Sequence, residues 1–237
     1  MSSRVRAVFF DAGHTLIYAH PDLGTVYAET TARFGATLPP KRFVEAFVPA
    51  FIRYTRGPGL RMGAGDAEDR EMWHRITRAI YERLEELKGV EFEPWFDALY
   101  RRFGEASVWK FYDDVRPTLD ELRRRGMRLG VVSNWDTRLR GISEGIGLDR
   151  MVDFVVISAE VGVRKPDPRI FEEALRRAGV AAGEAVHVGD LPEEDIEGAR
   201  RAGLGAFLID REKRITSRDC PEGVPVLGTL GDLLQRV

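Results

Sequence analysis

Three apolar runs of β type, Ala7-Val8-Phe9-Phe10, Leu129-Gly130-Val131-Val132 and Ala185-Val186-His187-Val188, each give way at once to polar residues capable of chemistry. The first runs into Asp11-Ala12-Gly13-His14-Thr15, the second into Ser133-Asn134-Trp135, and the third into Gly189-Asp190, with Asp195 five residues on. Further strand-like runs stand at 153–158 and 206–210, with a shorter one at 224–227, and helical patterns fill the intervals near 117–125, 138–146, 168–178 and 193–202. Strands alternating with helices predict right-handed βαβ units, and so an α/β fold with a Rossmann-like three-layer core, a parallel sheet covered by helices on both faces. In an open parallel sheet the ligand crevice lies at the carboxyl edge of the strands. Asp11, Ser133 and Asp190, remote in sequence, are therefore expected to meet at one site.

Local signals support these boundaries. Asp167-Pro168 reads as a helix N-cap followed by a first-turn proline, and Gly126, Gly179 and Gly203 stand where left-handed C-terminal residues belong. Residues 19 to about 110 break the alternation: they show no clear strand pattern, and apolar residues recur at helical spacing over 26–34, 43–54, 72–87 and 95–103. The expected organisation is a Rossmann-like core of residues 1–18 and 113–237 interrupted by an all-helical cap domain, 19–112, large enough for a four-helix bundle and standing as a lid over the carboxyl edge. The stretch from Gly57 to Gly65 has four glycines but no Gly-Lys-Ser/Thr after it, so it reads as a connector rather than a phosphate loop.

Composition narrows the class. With 237 residues and 43% hydrophobic content the chain can bury a sizeable core, and a formal net charge of −2 provides no general basic field for nucleic acid. Cys220 is the only cysteine, which excludes an internal disulfide and agrees with a reducing compartment. The apolar stretch before Asp11 is too short for a signal peptide or membrane span, so a cytoplasmic protein with no membrane partner is expected. Asn134 is the only asparagine, and Lys165 is one of five lysines against 31 arginines. Both scarce residue types thus fall in the candidate motifs.

Taken in order, Asp11-Ala12-Gly13-His14-Thr15, Ser133-Asn134, Lys165-Pro166, and Gly189-Asp190 with Asp195 resemble the four motifs of the haloacid dehalogenase superfamily of hydrolases, in the subclass with a helical cap between the first and second motifs. The resemblance extends over Val132 to Leu139 and over His187-Val188-Gly189-Asp190 on to Arg200; it covers the core and is weak in the cap. It implies Asp11 as a nucleophile that forms an aspartyl phosphate, with Ser133, Asn134 and Thr15 binding the phosphoryl group and Lys165 offsetting its charge. It further implies Mg²⁺ held by Asp11, the Gly13 carbonyl, Asp190 and Asp195, a small phosphorylated metabolite as substrate, and a monomer or homodimer. Trp135, directly after Asn134, is placed by the motif to line the substrate side.

One position departs from the pattern. Phosphatases of this superfamily usually carry a second aspartate two residues after the nucleophile as general acid and base, and here that position is Gly13. General acid–base catalysis is worth about 10²- to 10⁴-fold, so its loss must be met by a good leaving group or another donor. His14 is the adjacent candidate, and His20, His74, Glu68, Asp69 and Glu71 are donors that a closing lid could deliver. His187 reads as a packed core residue, Glu193 and Glu194 as acids favoured by a helix N-terminus, and Arg53, Arg56 and Arg61 as possible readers of an anionic substrate tail.

The leading expectation is a Mg²⁺-dependent phosphatase. The alternative is a 2-haloacid dehalogenase, whose halide needs no proton; such enzymes resemble this chain but generally lack the acid at Asp190. Phosphonatase chemistry would need a Schiff-base lysine in the cap, where Lys41 and Lys88 are the candidates. A catalytically weakened module that binds a phosphoryl group or a partner is a further alternative, against which the retained Asp11 argues.

Overall fold

The computed structural model describes residues 5–55, 65–213 and 220–237. Its elements run β1 (Ala7–Phe10), β2 (Ile17–Ala19), α1 (Leu23–Ala32), α2 (Pro40–Thr55), α3 (Asp66–Arg83), α4 (Phe92–Arg102), β3 (Trp109–Phe111), α5 (Val115–Arg124), β4 (Arg128–Ser133), α6 (Arg138–Ile146), β5 (Phe154–Ile157), α7 (Ser158–Val161), α8 (Pro168–Ala178), β6 (Ala185–Gly189), a π-helical turn (Pro192–Glu197), α9 (Gly198–Arg201), β7 (Gly205–Ile209) and β8 (Val226–Leu227). The fold is the expected one, a Rossmann-like α/β core with an inserted set of helices.

Six strands form one parallel sheet in the order β5-β4-β1-β6-β7-β8. The strand β1 is buried along its whole length because both its faces are covered. Val8 and Phe10 point into the cluster closed by α5, α6 and the C-terminal turn, whereas Ala7 and Phe9 point into the cluster closed by α8 and α9. Phe10 is level with Val131 of β4 and Val188 of β6, so the residues that follow these three strands emerge side by side. Helix α8 starts where Asp167 accepts a hydrogen bond from the Arg169 N–H at 3.0 Å, and it ends at Gly179 with φ +67°.

The four inserted helices carry a hydrophobic core of their own, built around Phe43, Ile76, Ile80, Trp95, Phe96 and Leu99. Trp95 Nε1 donates to the Thr31 hydroxyl at 2.9 Å, so even its one polar atom is satisfied in that interior. Two features differ from the sequence expectation. Residues 17–19 and 109–111 pair as a two-stranded antiparallel ribbon at the base of the inserted helices, where no strand pattern was visible; three-residue strands are too short to display a period. The segment expected as one helix over 193–202 opens into a π turn before α9, as Asp195 turns inward. The connector at 57–64, with Arg56 and Arg61, lies outside the described residues.

Candidate active site

Because β1 lies between β4 and β6, Asp11 is flanked by the ends of both neighbours, and its backbone N–H donates to the Val188 carbonyl at 2.9 Å. One carboxylate oxygen, Oδ1, accepts from Ser133 Oγ at 2.9 Å and from Lys165 Nζ at 2.7 Å. Lys165, only 2% exposed, also donates to Asp195 Oδ1 at 2.6 Å. Burial disfavours its charge, but Asp11 and Asp195 together outweigh that penalty and hold the ammonium above its ordinary pKa. A buried lysine paired on two sides is a fixed positive charge beside the Asp11 carboxylate.

Asp195 is more enclosed still. Its Oδ1 also faces His187 Nε2 at 2.9 Å, and its Oδ2 accepts the Leu191 N–H at 3.0 Å. Burial works against ionisation, but Lys165 and His187 hold the carboxyl below the usual range. Room for it comes from Gly189, where a Cβ would stand 2.1 Å from Asp195 Cγ. His187 is fully buried and meets the Phe171 ring edge-on, as a core residue should, yet it is also a partner of Asp195. Burial lowers its pKa, so the ring is neutral and Nε2–H is the donor to Asp195. The sequence reading missed that partnership.

Oxygens of Asp11, Asp190 and Asp195 lie within 4.8 Å of one another. Burial first, and then the negative charges of Asp11 and Asp195, raise the Asp190 pKa well above its ordinary value. Three carboxylates against one ammonium leave an excess of negative charge on hard oxygen donors, a set that fits a divalent cation of the Mg²⁺ type.

The remaining predicted residues divide. Asn134 is fully engaged: Oδ1 accepts the Lys165 N–H at 2.8 Å, and Nδ2 donates to the Lys165 carbonyl at 3.0 Å and to Glu194 Oε2 at 2.7 Å. Its side chain clamps the lysine loop. Glu194, expected only to favour a helix terminus, is thereby part of the site, and burial raises its pKa. Trp135 packs edge-to-face on Trp109 at 5.0 Å and presents Cζ3 3.4 Å from where a Gly13 Cβ would be. Thr15 is fully buried; its hydroxyl has no partner among the described residues, while Arg211 donates to its carbonyl at 2.7 and 3.0 Å. His14 is exposed and left-handed, φ +53°.

The candidate donors of the cap are also sorted by the structure. His74 is tied to Glu93 at 3.1 Å and set against Phe92 and Phe96, Glu71 pairs with Arg75 at 2.8 Å, and Glu68 and His20 are exposed. Arg53 is exposed and packs over Tyr54. Helix α3, by contrast, meets the core directly. Asp66 accepts from the Thr137 N–H at 2.8 Å and its hydroxyl at 2.6 Å, and Asp69, 4% exposed, lies 3.5 Å from Arg164. Tyr100 of α4 adds a hydrogen bond to the buried Asp136 at 3.3 Å.

Comparison with known proteins accords with this geometry. The model of the haloacid dehalogenase-like hydrolases matches residues 5–203. The chain is 33% identical over 207 residues to the human haloacid dehalogenase-like hydrolase domain-containing protein 3, covering 87% of this chain and 82% of that protein. It is 40% identical over 157 residues to a phosphoserine phosphatase of Thermus thermophilus, covering 66% of this chain and 61% of that one. A haloacid dehalogenase-type phosphatase from Thermococcus onnurineus superposes with a TM-score of 0.64 at 25% identity, over 98% of this chain and 97% of the other. On the strength of its fold, its four motifs and this match, the chain belongs to the haloacid dehalogenase-like hydrolase family.

Proposed function

We propose that this hydrolase is a phosphatase of a small phosphorylated metabolite, acting through an aspartyl phosphate on Asp11. The observation that carries the reading is the Asp190 carboxylate, which meets those of Asp11 and Asp195 within 4.8 Å around the single ammonium of Lys165. A haloacid carries a single negative charge and needs no cation to approach; a phosphate dianion does. Asp11, the Gly13 carbonyl and Asp190 would hold Mg²⁺, with Asp195 holding its waters. When bound, the ion supplies neutralisation of the phosphate oxygens next to the attacking carboxylate.

The chain's own groups divide the remaining work. Ser133 and Lys165 fix the rotamer of Asp11 through Oδ1, leaving Oδ2 for in-line attack on phosphorus. The Ser133 hydroxyl, the Lys165 ammonium and Thr15 are the phosphoryl contacts, and Asn134 keeps the lysine loop in register. Trp135 and Trp109 form the apolar wall beside Gly13. The inserted helices, residues 19–112, act as the lid that excludes water. Lys41 and Lys88 are both exposed and paired with glutamates, which speaks against a desolvated Schiff-base lysine in the lid.

The test is release of phosphate from p-nitrophenyl phosphate and acetyl phosphate, and of halide from 2-chloropropionate, each with Mg²⁺ or with EDTA. Phosphate release is expected, abolished by EDTA and by Asp11→Asn in a folded variant. Halide release indifferent to EDTA would replace this reading with the dehalogenase.

A further inference from the structure

Among the described residues, Asp69 is the one fully buried carboxylate of the inserted helices. It lies on the first turns of α3, where that helix stands on two loops of the core. Asp66, one turn earlier, grips Thr137 in the loop after β4, the loop that carries Ser133 and Asn134. Asp69 Oδ1 reaches Arg164 Nη1 at 3.5 Å, and Arg164 adjoins Lys165, whose Nζ touches Asp11. The other oxygen, Oδ2, is buried with no hydrogen-bond partner. A buried carboxylate oxygen left without a donor is destabilising, a cost relieved when the group is protonated or when a ligand supplies the partner.

We propose that Asp69 is the proton donor and acceptor of the reaction, a role for which Gly13 has no side chain and which the lid supplies. The inference rests on the phosphatase reading above. As Asp11 Oδ2 bonds to phosphorus, the bond from phosphorus to the ester oxygen breaks, and the departing alkoxide takes the proton of the Asp69 carboxyl. In the second half, water attacks phosphorus, the bond to Asp11 breaks, and the water's proton returns to Asp69. Ester and water thus become alcohol and phosphate, with both carboxyls restored.

Electrostatics suits the role. Desolvation raises the Asp69 pKa to about 6, against the lowering effect of Arg164, while Asp136 and Asp66 raise it and Arg138 lowers it. These are the charged groups that face it, from α3 itself, from the loop after β4 and from the loop before α8. An acid must be protonated to donate, so its contribution is present below pH 6 and fades above it; a bound phosphate dianion extends that range upward.

The experiment measures kcat/KM, which covers the steps through departure of the leaving group, for glycerol phosphate, p-nitrophenyl phosphate and acetyl phosphate. Wild type, Asp69→Asn, Asp69→Glu and Asp66→Ala are compared from pH 5 to 9. Asp69→Asn is expected to lose about 10²-fold on the alkyl ester and under about threefold on the two activated esters, with partial recovery in Asp69→Glu. The ratio of wild type to Asp69→Asn on the alkyl ester should fall as pH rises through the Asp69 pKa; the substrate's own ionisation cancels in that ratio. Equal loss on all three esters, or the same pattern in Asp66→Ala, would make Asp69 a latch and overturn the proposal. A wild type inactive on every ester would overturn the phosphatase reading, and Asp69's role with it.

Discussion

Gly13 has no conformational need to be glycine, for its φ is not in the left-handed region, and a Cβ there would meet Trp135 Cζ3 at an ordinary 3.4 Å. A Cβ is therefore tolerated there. Gly13→Asp should raise kcat/KM for glycerol phosphate only a few-fold in wild type, where Asp69 already serves, and by up to about 10²-fold in an Asp69→Asn background, while leaving acetyl phosphate nearly unchanged in both. Steady-state kinetics on the four variants decides the matter, and an equal gain on both substrates would mean that the missing acid is not the defect. Gly189 is the opposite case, with 2.1 Å to Asp195 and no room for a methyl group. Asp11, Ser133, Lys165 and Asp190 were legible because each ends or follows a strand or stands just before a proline-marked helix start. His187 and Glu194 were read only as a core residue and a helix-terminal acid, and Asp69 only as one of several lid donors, because their partners, at Asp195, Asn134 and Arg164, are defined only once distant segments pack.

Helix α3 is the element that joins the two halves of the site. Its first turns make two polar contacts with the core, Asp66 to Thr137 and Asp69 to Arg164, and Tyr100 of α4 makes a third. All three land on the loops that carry Ser133, Asn134 and Lys165. Because the inserted helices have their own apolar core, these contacts serve seating rather than folding. Asp66→Ala removes two hydrogen bonds at an exposed edge, about 1 kcal/mol of seating energy, which corresponds to roughly a fivefold rise in KM. The melting temperature should hardly move. A drop of many degrees with KM unchanged would show that the contact is part of the folded scaffold instead. At this scale the helices were readable from their 3.6-residue spacing. The ribbon of β2 and β3 was hidden by its brevity, and the π turn by the inward turn of Asp195, which depends on Gly189 at the end of β6.

The whole molecule has two faces of core around the sheet and a third, separate core in the inserted helices. What links the sheet to the helices is the two-stranded ribbon at 17–19 and 109–111, together with polar contacts over the site: Asp66 with Thr137, Asp69 with Arg164, and Tyr100 with Asp136 and Arg138. Such a molecule is built to open without unfolding, since each part has a core of its own and the polar contacts between them are ones that water replaces. The lid reading then has a measurable signature. Beryllium fluoride with Mg²⁺, a mimic of the phosphoryl group on Asp11, should slow deuterium uptake at the start of α3, in the loop 134–138 and in the ribbon. Uptake in β1, β4 and β6, already enclosed by helices, should stay as it was. Protection spread evenly over the chain would point to global stabilisation by the ligand, and protection confined to the loops after β1, β4 and β6 would mean that the inserted helices do not close on the reaction at all. Only the localised pattern, with α3 and the ribbon moving together, is consistent with a lid that brings its own carboxyl to the site.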